Sequence, residues 1–397
     1  MNGHLPAVCI PRSLRSFAAD APDTQAFDVS WSDGRVSRIE PVPGPVAGTL
    51  VSAWVDVHVH LDKNYTVDEV GAAQGDLHAA LARMQASRAG WTEALLHERM
   101  TRALADAWRC GTRAMRTHLD WPDPHAPPSL PVLAALRDEW RGRIELQFVS
   151  LTALDLFDDA ESASARAQTL VRSGGILGAF VYRHADLQAR LGRVFDLAVA
   201  SDLDLDFHVD EGLAADAVAL RCIAELTLQH RWHGRVTCGH ACSLSIQPQA
   251  QALETLQRCA LAGIHLVALP TTNLYLQGAW DGTPVERGIT RVREAAAAGV
   301  GVCIATDNVA DAFYPYGSYD LFETFGLGVQ LAHLAPACAW LPAITVHPAR
   351  AMGLPWDGRI GVGCPADMVL LQARTEYEML TPAGRQRTVY RGGVRLP

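Results

Sequence analysis

Short apolar runs alternate with amphipathic stretches along most of this chain, and polar or charged side chains stand where the runs stop. Candidate strands end at His60, Asp120, Leu151, Tyr182, Asp210, Ala241, Pro270 and Asn308. Between them lie helical stretches at 95–108, 131–141, 160–173, 214–230, 250–262 and 285–298. The runs at 144–151, 175–182 and 299–306 are largely apolar, as strands covered on both faces must be. Eight strands alternating with helices predict an α/β chain built as a (β/α)8 TIM-like barrel, a fold that keeps its chemistry at the carboxyl ends of the strands.

The flanks read differently. Residues 27–31 and 35–40 suggest a hairpin across the Ser32-Asp33-Gly34 turn. Near the other end, 368–372 and 388–391 read as strands, followed by a turn at Gly392-Gly393 and a last short run at 394–396. Neither flank is long enough to fold alone. Segments 1–50 and 357–397 are therefore expected to form one small composite β-sandwich domain, with 51–356 as the barrel.

Four segments at strand ends carry the chemistry: His58-Val59-His60-Leu61-Asp62, His208-Val209-Asp210-Glu211, Gly239-His240 and Thr306-Asp307-Asn308. His58 and His60 are two apart on a strand, so their imidazoles point to one face and can reach one ion. Histidines from separate strands plus an aspartate give a divalent metal its N and O ligands while leaving a position for water. With 15 histidines in the chain, any single pair is weak evidence. The joint pattern, with every member where an apolar run ends, argues for a metal-dependent hydrolase.

Composition narrows the remaining choices. The net charge of -9 argues against a nucleic-acid surface, which needs a concentrated basic face. No apolar run approaches the ~20 residues that span a bilayer, and the N-terminus lacks the pattern of a signal peptide. The reading is a cytoplasmic enzyme with a small-molecule substrate, no nucleic-acid or membrane partner, and room for a homo-oligomer. The nine cysteines form no CxxC pair, so neither a disulfide framework nor a cysteine-bound zinc is indicated. Lys63 is the only lysine, every other basic side chain of this kind being arginine. Two roles are open to it: a compact charge donating to a substrate oxygen, or a counter-ion to Asp62 or another carboxylate. Because no lysine lies on a middle strand, none can be carbamylated there to bridge two metals, and a single ion is expected.

These residues also carry a resemblance. The runs at 58–63 (HVHLDK), 116–120 (RTHLD), 208–211 (HVDE), 239–240 (GH), 273–278 (NLYLQG), 287–292 (RGITRV) and 307–317 (DNVADAFYPYG), with 358–367 at the return to the β-domain, resemble in order the signatures of the amidohydrolase superfamily. Within it they are similar to the cytosine deaminase-like branch. The resemblance implies that His58, His60, His208 and Asp307 bind one Fe(2+) or Zn(2+). It implies that His240 takes the proton of the attacking water without necessarily being a ligand. Glu211 would protonate the ring nitrogen beside the attacked carbon, and Asp307 would shuttle the last proton. The implied reaction is deamination of a small N-heterocycle related to cytosine, in which hydroxide generated at the metal attacks an amidine-like ring carbon and ammonia leaves.

Departures from the branch bear on the substrate. Ala153 stands where cytosine deaminase has a glutamine that reads the pyrimidine's amide edge, which removes two directional hydrogen bonds. Lys63 and Asn308 instead resemble N-isopropylammelide amidohydrolase, which lacks the glutamate retained here as Glu211. The mixture predicts a different heterocycle: a pterin, isocytosine or another aminopyrimidine. Phe313 stands near the expected ring position, where it could stack on a flat substrate or serve loop packing. Tyr182, Arg183, Gln277 and Asp311 are further candidates for the pocket. The alternative is an amidohydrolase that cleaves an N-alkylamino or cyclic amide C–N bond of a triazine- or pterin-like heterocycle. A non-catalytic barrel is disfavoured, because no ligand position has been lost.

Overall fold

A computed structural model describes residues 2–74 and 77–397. Eight strands form one sheet in sequential order. They are β1 (Trp54–Val59), β2 (Thr112–Asp120), β3 (Glu145–Ala153), β4 (Ile176–Val181), β5 (Leu205–Val209), β6 (Val236–His240), β7 (His265–Ala268) and β8 (Gly301–Ile304). From β3 to β8 each neighbour pairs in parallel. The ring is completed just past β8, where Asp307 bridges Val59 in parallel and its N–H donates to the His58 carbonyl at 3.0 Å. The eight-stranded parallel barrel is thus the expected fold, and it places the ends of β1 and β8 side by side.

Most side chains of these strands are buried, and every residue of β1, β5 and β6 is. Helices at Glu93–Cys110, Ser129–Glu139, Ala160–Ser173, Leu187–Ser201, Ala219–Gln229, Gln249–Ala262 and Val292–Ala297 alternate with them. Two expected helices are shorter than predicted. The one expected at 214–230 begins at Ala219, because the Asp210 carboxylate accepts the N–H groups of Ala219 and Leu220 and so fixes the first turn there. The one expected at 285–298 begins only at Val292. Gly288 has a φ of +68° in the segment ahead of it, and Arg287 and Arg291 there donate to the carbonyls of Leu274, Leu244 and Gln247.

The flanking segments form a separate seven-stranded sheet, mostly antiparallel. Its order is Val394–Arg395, Arg387–Arg391, Met368–Leu371, Gly48–Ser52, Gly3–Cys9, Ala26–Ser32 and Arg35–Val42. The sandwich expected of the flanks is realised as this one hydrogen-bonded sheet. The predicted hairpin is present, Ser32 pairing with Arg35 across Asp33 (φ 51°) and Gly34 (φ 76°), the two positive angles a tight two-residue turn requires. Phe27, Val29, Trp31, Leu50 and Met368 are among its core residues. By compactness the chain divides into two units: Met1–Asp56 with Ala105–Ala114 and Asp320–Pro397, and Val57–Leu104 with Met115–Tyr319. Every site residue considered below lies in the second.

Candidate functional site

Three of the strand ends that carry candidate residues leave ordinary backbone geometry. Asp210, His240 and Asp307 have φ of 48°, 71° and 62°. Such angles are costly for residues with a Cβ and gather at functional sites. They turn the chain sharply, so that side chains at the ends of β5, β6 and β8 converge with those of β1.

The convergence is close. His60 Nε2 is 3.1 Å and His58 Nε2 3.6 Å from the same oxygen, Asp307 Oδ1. His208 Nε2 lies 3.3 Å from His60 Nε2. His60 Nδ1 is 3.3 Å from the His118 carbonyl oxygen, an acceptor that leaves the ring's lone pair on Nε2, toward the cluster. Two imidazole nitrogens facing each other beside a carboxylate need a cation or a shared proton between them. All these groups are buried, and among the described residues both ring nitrogens of His58, with His208 Nδ1 and His240 Nε2, find no hydrogen-bond partner. Burial, reinforced by the neighbouring imidazoles, pushes His58 and His208 well below the usual histidine range, so both rings are neutral and able to donate lone pairs. His58, His60 and Asp307 form one set able to hold an ion, and His58, His208 and His240 form another that shares His58 with it. The donor set fits a divalent transition metal.

Glu211 and His240 lie beside this cluster. Glu211 Oε1 is 3.4 Å from His240 Nδ1, to which Asn273 Nδ2 also approaches at 3.0 Å. Burial, and then the Asp307 carboxylate, raises the Glu211 carboxyl well above its usual range against the opposing pull of Lys63, so it can carry a proton at neutral pH. Burial lowers His240 to about 4, although Asp307 opposes this. A carboxyl held protonated next to an imidazole held neutral is an arrangement suited to proton transfer.

Lys63 takes a carboxylate partner, and of the carboxylates open to it the partner is Asp120 rather than Asp62. Its Nζ donates to Asp120 Oδ1 at 2.7 Å, while Arg88 holds Oδ2 at 2.6 Å. The Asp62 carboxylate instead accepts the Asp120 backbone N–H. Burial alone would lower the Lys63 ammonium, yet Asp120 and Asp62 outweigh it and raise it. The ammonium sits 5.1 Å above the Phe313 ring and faces the same cavity as the histidines.

Residues 133–395 match the profile of the Amidohydrolase family. The chain is 38% identical over 379 residues to a pterin deaminase of Rhizobium rhizogenes (strain K84), an alignment spanning 92% of this chain and 86% of the relative. The chain belongs to the amidohydrolase family. An N-isopropylammelide isopropyl amidohydrolase of Pseudomonas sp. (strain ADP) is 24% identical, with 92% of each chain covered. In three dimensions, the 5-methylcytosine deaminase of Klebsiella pneumoniae liganded with 5-fluorocytosine superposes with a TM-score of 0.84 at 23% identity, covering 100% of this chain and 97% of the other. This amidohydrolase is accordingly a hydrolase of carbon–nitrogen bonds other than peptide bonds, in a metal-dependent family.

The remaining candidates of the amidohydrolase fall into three places. Lys63, Asn308, Phe313 and Ala153 line an inner cavity of about 360 Å³ with His60, His208, Glu211 and His240. Tyr182 and Gln277 line a wider space of about 720 Å³ next to it, which shares Glu211 with the inner one. Arg183 joins neither, since its exposed guanidinium pairs with Asp216 at 2.9 Å. Asp311 holds a turn: it accepts from Asn308 Nδ2 and from the N–H groups of Phe313 and Tyr314. Sequence reasoning gave no role to Asn273, Asp120, Arg88 or His118, whose ring lies 3.9 Å from that of His58. Asn273, His118 and Asp120 do sit inside the motifs at 273–278 and 116–120, and that placement was the available signal.

Proposed function

We propose that this amidohydrolase deaminates a small N-heterocycle at an amidine-like carbon, with the 2-amino-4-oxo ring of a pterin as the leading substrate class. The observation that carries the reading is the buried Glu211 carboxyl 3.4 Å from His240, in a cavity that His60, His208 and His240 also line. The 38% identity to a pterin deaminase supports the choice of ring. So does Ala153, whose methyl group leaves the end of β3 open where a longer amide would fill it.

His58, His60, His208 and Asp307 would hold one ion, iron or zinc. When bound, such an ion lowers the pKa of a coordinated water from about 15.7 toward ~7, making a nucleophile available at neutral pH. His240, kept neutral by burial, takes the proton from the attacking water. Glu211 delivers a proton to the ring nitrogen as charge develops there, and the Asp307 carboxylate takes the proton of the newly added hydroxyl and passes it to the amine as the C–N bond breaks and the carbonyl forms. Lys63, fixed by Asp120, donates to a substrate oxygen, and Phe313 and Asn308 border the ring.

A second reading, hydrolysis of an N-alkylamino or cyclic amide C–N bond, is favoured by Lys63 and Asn308 and by the 24% identity to the ammelide hydrolase. A screen of the metal-reconstituted protein against cytosine, isocytosine, pterin, guanine and triazine compounds tests both. Ammonia release from an amino-heterocycle supports the first reading. An alkylamine or a ring-opened acid as product supports the second.

A further inference from the structure

Ala153 gives the inner cavity only a methyl group, and the charged groups of the neighbouring wall come from three other elements. Lys63 follows β1, Asp120 closes β2, and Arg88 is the last residue of the helix Leu77–Arg88. Asp120 stands next to β3, since the N–H of Trp121 donates to the Leu151 carbonyl at 2.8 Å. Along the helix, Leu77, Leu81, Gln85 and Arg88 line the cavity at the spacing of one helical face. Ala80 and Met84, on the adjoining face, pack with Leu276, Ala312 and Phe313. The helix is thereby seated, and its last side chain reaches the wall.

Asp120 is fixed from three directions. Lys63 Nζ donates to Oδ1 at 2.7 Å, Arg88 Nη2 donates to Oδ2 at 2.6 Å, and the backbone N–H donates to Asp62 Oδ2 at 2.8 Å. Burial alone would raise the Asp120 carboxyl, yet Lys63 and Arg88 outweigh it and hold the group well below the usual carboxylate range. It is therefore an acceptor only. An ammonium carries three N–H donors and a carboxylate about four lone-pair sites, so neither group is used up by the ion pair. Both border the cavity, which leaves a free donor and a free acceptor side by side on one wall. Two more buried donors of that wall, Arg88 Nε and Trp121 Nε1, have no hydrogen-bond partner among the described residues. The wall thus holds more donors than its own acceptors use, which suits a ligand edge that carries oxygen.

We infer that the Lys63–Asp120 ion pair reads a lactam edge of the heterocycle, Lys63 Nζ donating to the ring carbonyl and the Asp120 carboxylate accepting the ring N–H beside it, with Arg88 as the positioning residue that holds Asp120 in place. The inference rests on the deaminase reading above and adds to it which edge of the ring is recognised, and by what. In a 2-amino-4-oxopteridine two ring nitrogens flank the amino-bearing carbon, and each then has its own partner. Glu211 serves the nitrogen that gains a proton, and Asp120 serves the one that already bears hydrogen.

The test compares 2-amino-4-oxopteridine with 2,4-diaminopteridine, a ring of the same size whose edge is reversed: an amino donor replaces the carbonyl and a bare nitrogen replaces the N–H. Dissociation constants are read from ligand fluorescence with metal-loaded Glu211→Gln protein, in which turnover is slow, and ammonia release is followed separately with the wild type. The lactam compound should bind at least about tenfold more tightly, because the reversed edge sets donor against donor and acceptor against acceptor in a buried wall. Lys63→Met and Arg88→Gln, each added to the Glu211→Gln protein at matched metal content, should lower that ratio at least about threefold, a change of selectivity that a purely structural role does not produce. Equal binding of the two compounds, binding of neither, or a ratio untouched by Lys63→Met would overturn the edge reading, and ammonia released from the lactam compound by the wild type would still leave the deaminase reading standing. A ratio that falls with Lys63→Met but not with Arg88→Gln would overturn the positioning role of Arg88. Selective binding of the lactam without ammonia release by the wild type would overturn the deaminase reading and leave the edge reading in place.

Discussion

Gly239 illustrates how tightly single atoms set this site. A Cβ there would lie 2.8 Å from His58 Cε1 and 3.0 Å from its Nδ1, so the ring of His58 occupies space that any side chain at 239 would claim. Gly239→Ala should displace that ring and weaken metal retention by about 10- to 100-fold, the range seen when groups supporting a ligand are disturbed; competition with a chelator measures it. Lys63→Met should lower kcat/KM by about 2 kcal/mol or more with metal content intact, the effect of losing a charged hydrogen bond. Unchanged kinetics would leave Lys63 as no more than the counter-ion of Asp120. Glu211→Gln should lower kcat by about 10²- to 10⁴-fold with metal retained, since a positioned general acid contributes that much, and stopped-time ammonia assays at matched metal content read it directly. At this scale, His58, His60, His208, Glu211, His240 and Asp307 were legible because each combines reactive chemistry with a strand end. Asp120 and Arg88 were not, because the ion pairs that bring them to Lys63 span 57 and 32 residues of sequence and exist only in the folded chain. Arg183 misled for the opposite reason: it follows Tyr182 at a strand end, yet its side chain turns outward to Asp216.

Among the elements, the loop from β5 to the helix at Ala219–Gln229 links structure to chemistry. Asp210 lies between His208 and Glu211, and its buried carboxylate accepts from Ala219 N at 3.3 Å and Leu220 N at 3.0 Å. Val218, the residue just before that helix, makes no side-chain cap, so Asp210 does the capping from eight residues away. Asp210→Ala should cost about 1–2 kcal/mol, as other lost caps do, seen as a lower midpoint in chemical denaturation. It should also lower kcat, because Glu211 loses the support of its neighbour. The barrel strands were legible from their apolar runs and polar ends. Two flanking strands were not: Gly3–Cys9 contains Pro6, a residue that argues against a strand interior, and Gly48–Ser52 is a five-residue run buried throughout, with no alternation to mark it. The segment at 285–291, expected as helix, contains Gly288 and several β-branched residues and is held open by contacts of Arg287 and Arg291 that the sequence alone does not display.

For the whole molecule, the fold and the family were readable because order and spacing of motifs survive where individual contacts do not. Substrate identity was less so, since it depends on which side chains meet in space, such as Lys63 over Phe313 and Gln277 across from Tyr182. Four buried imidazoles and a carboxylate brought within a few ångströms of one another should leave the metal-free protein less stable than the loaded one. A ligand at 100 times its Kd adds about 2.7 kcal/mol, so stripping with a chelator should lower the unfolding midpoint, and one equivalent of iron or zinc should restore it. Elemental analysis showing two tightly held ions per chain would contradict the single-ion account. A deaminase exchanges an amino group on its heterocycle for oxygen. The most direct test is the product balance of the metal-loaded enzyme on its best substrate, with the chelated enzyme alongside. One ammonia should form for each heterocycle consumed, with the ring intact and no turnover without metal. Release of an alkylamine or a ring-opened acid, or ammonia formed at the same rate by the metal-free protein, would contradict it.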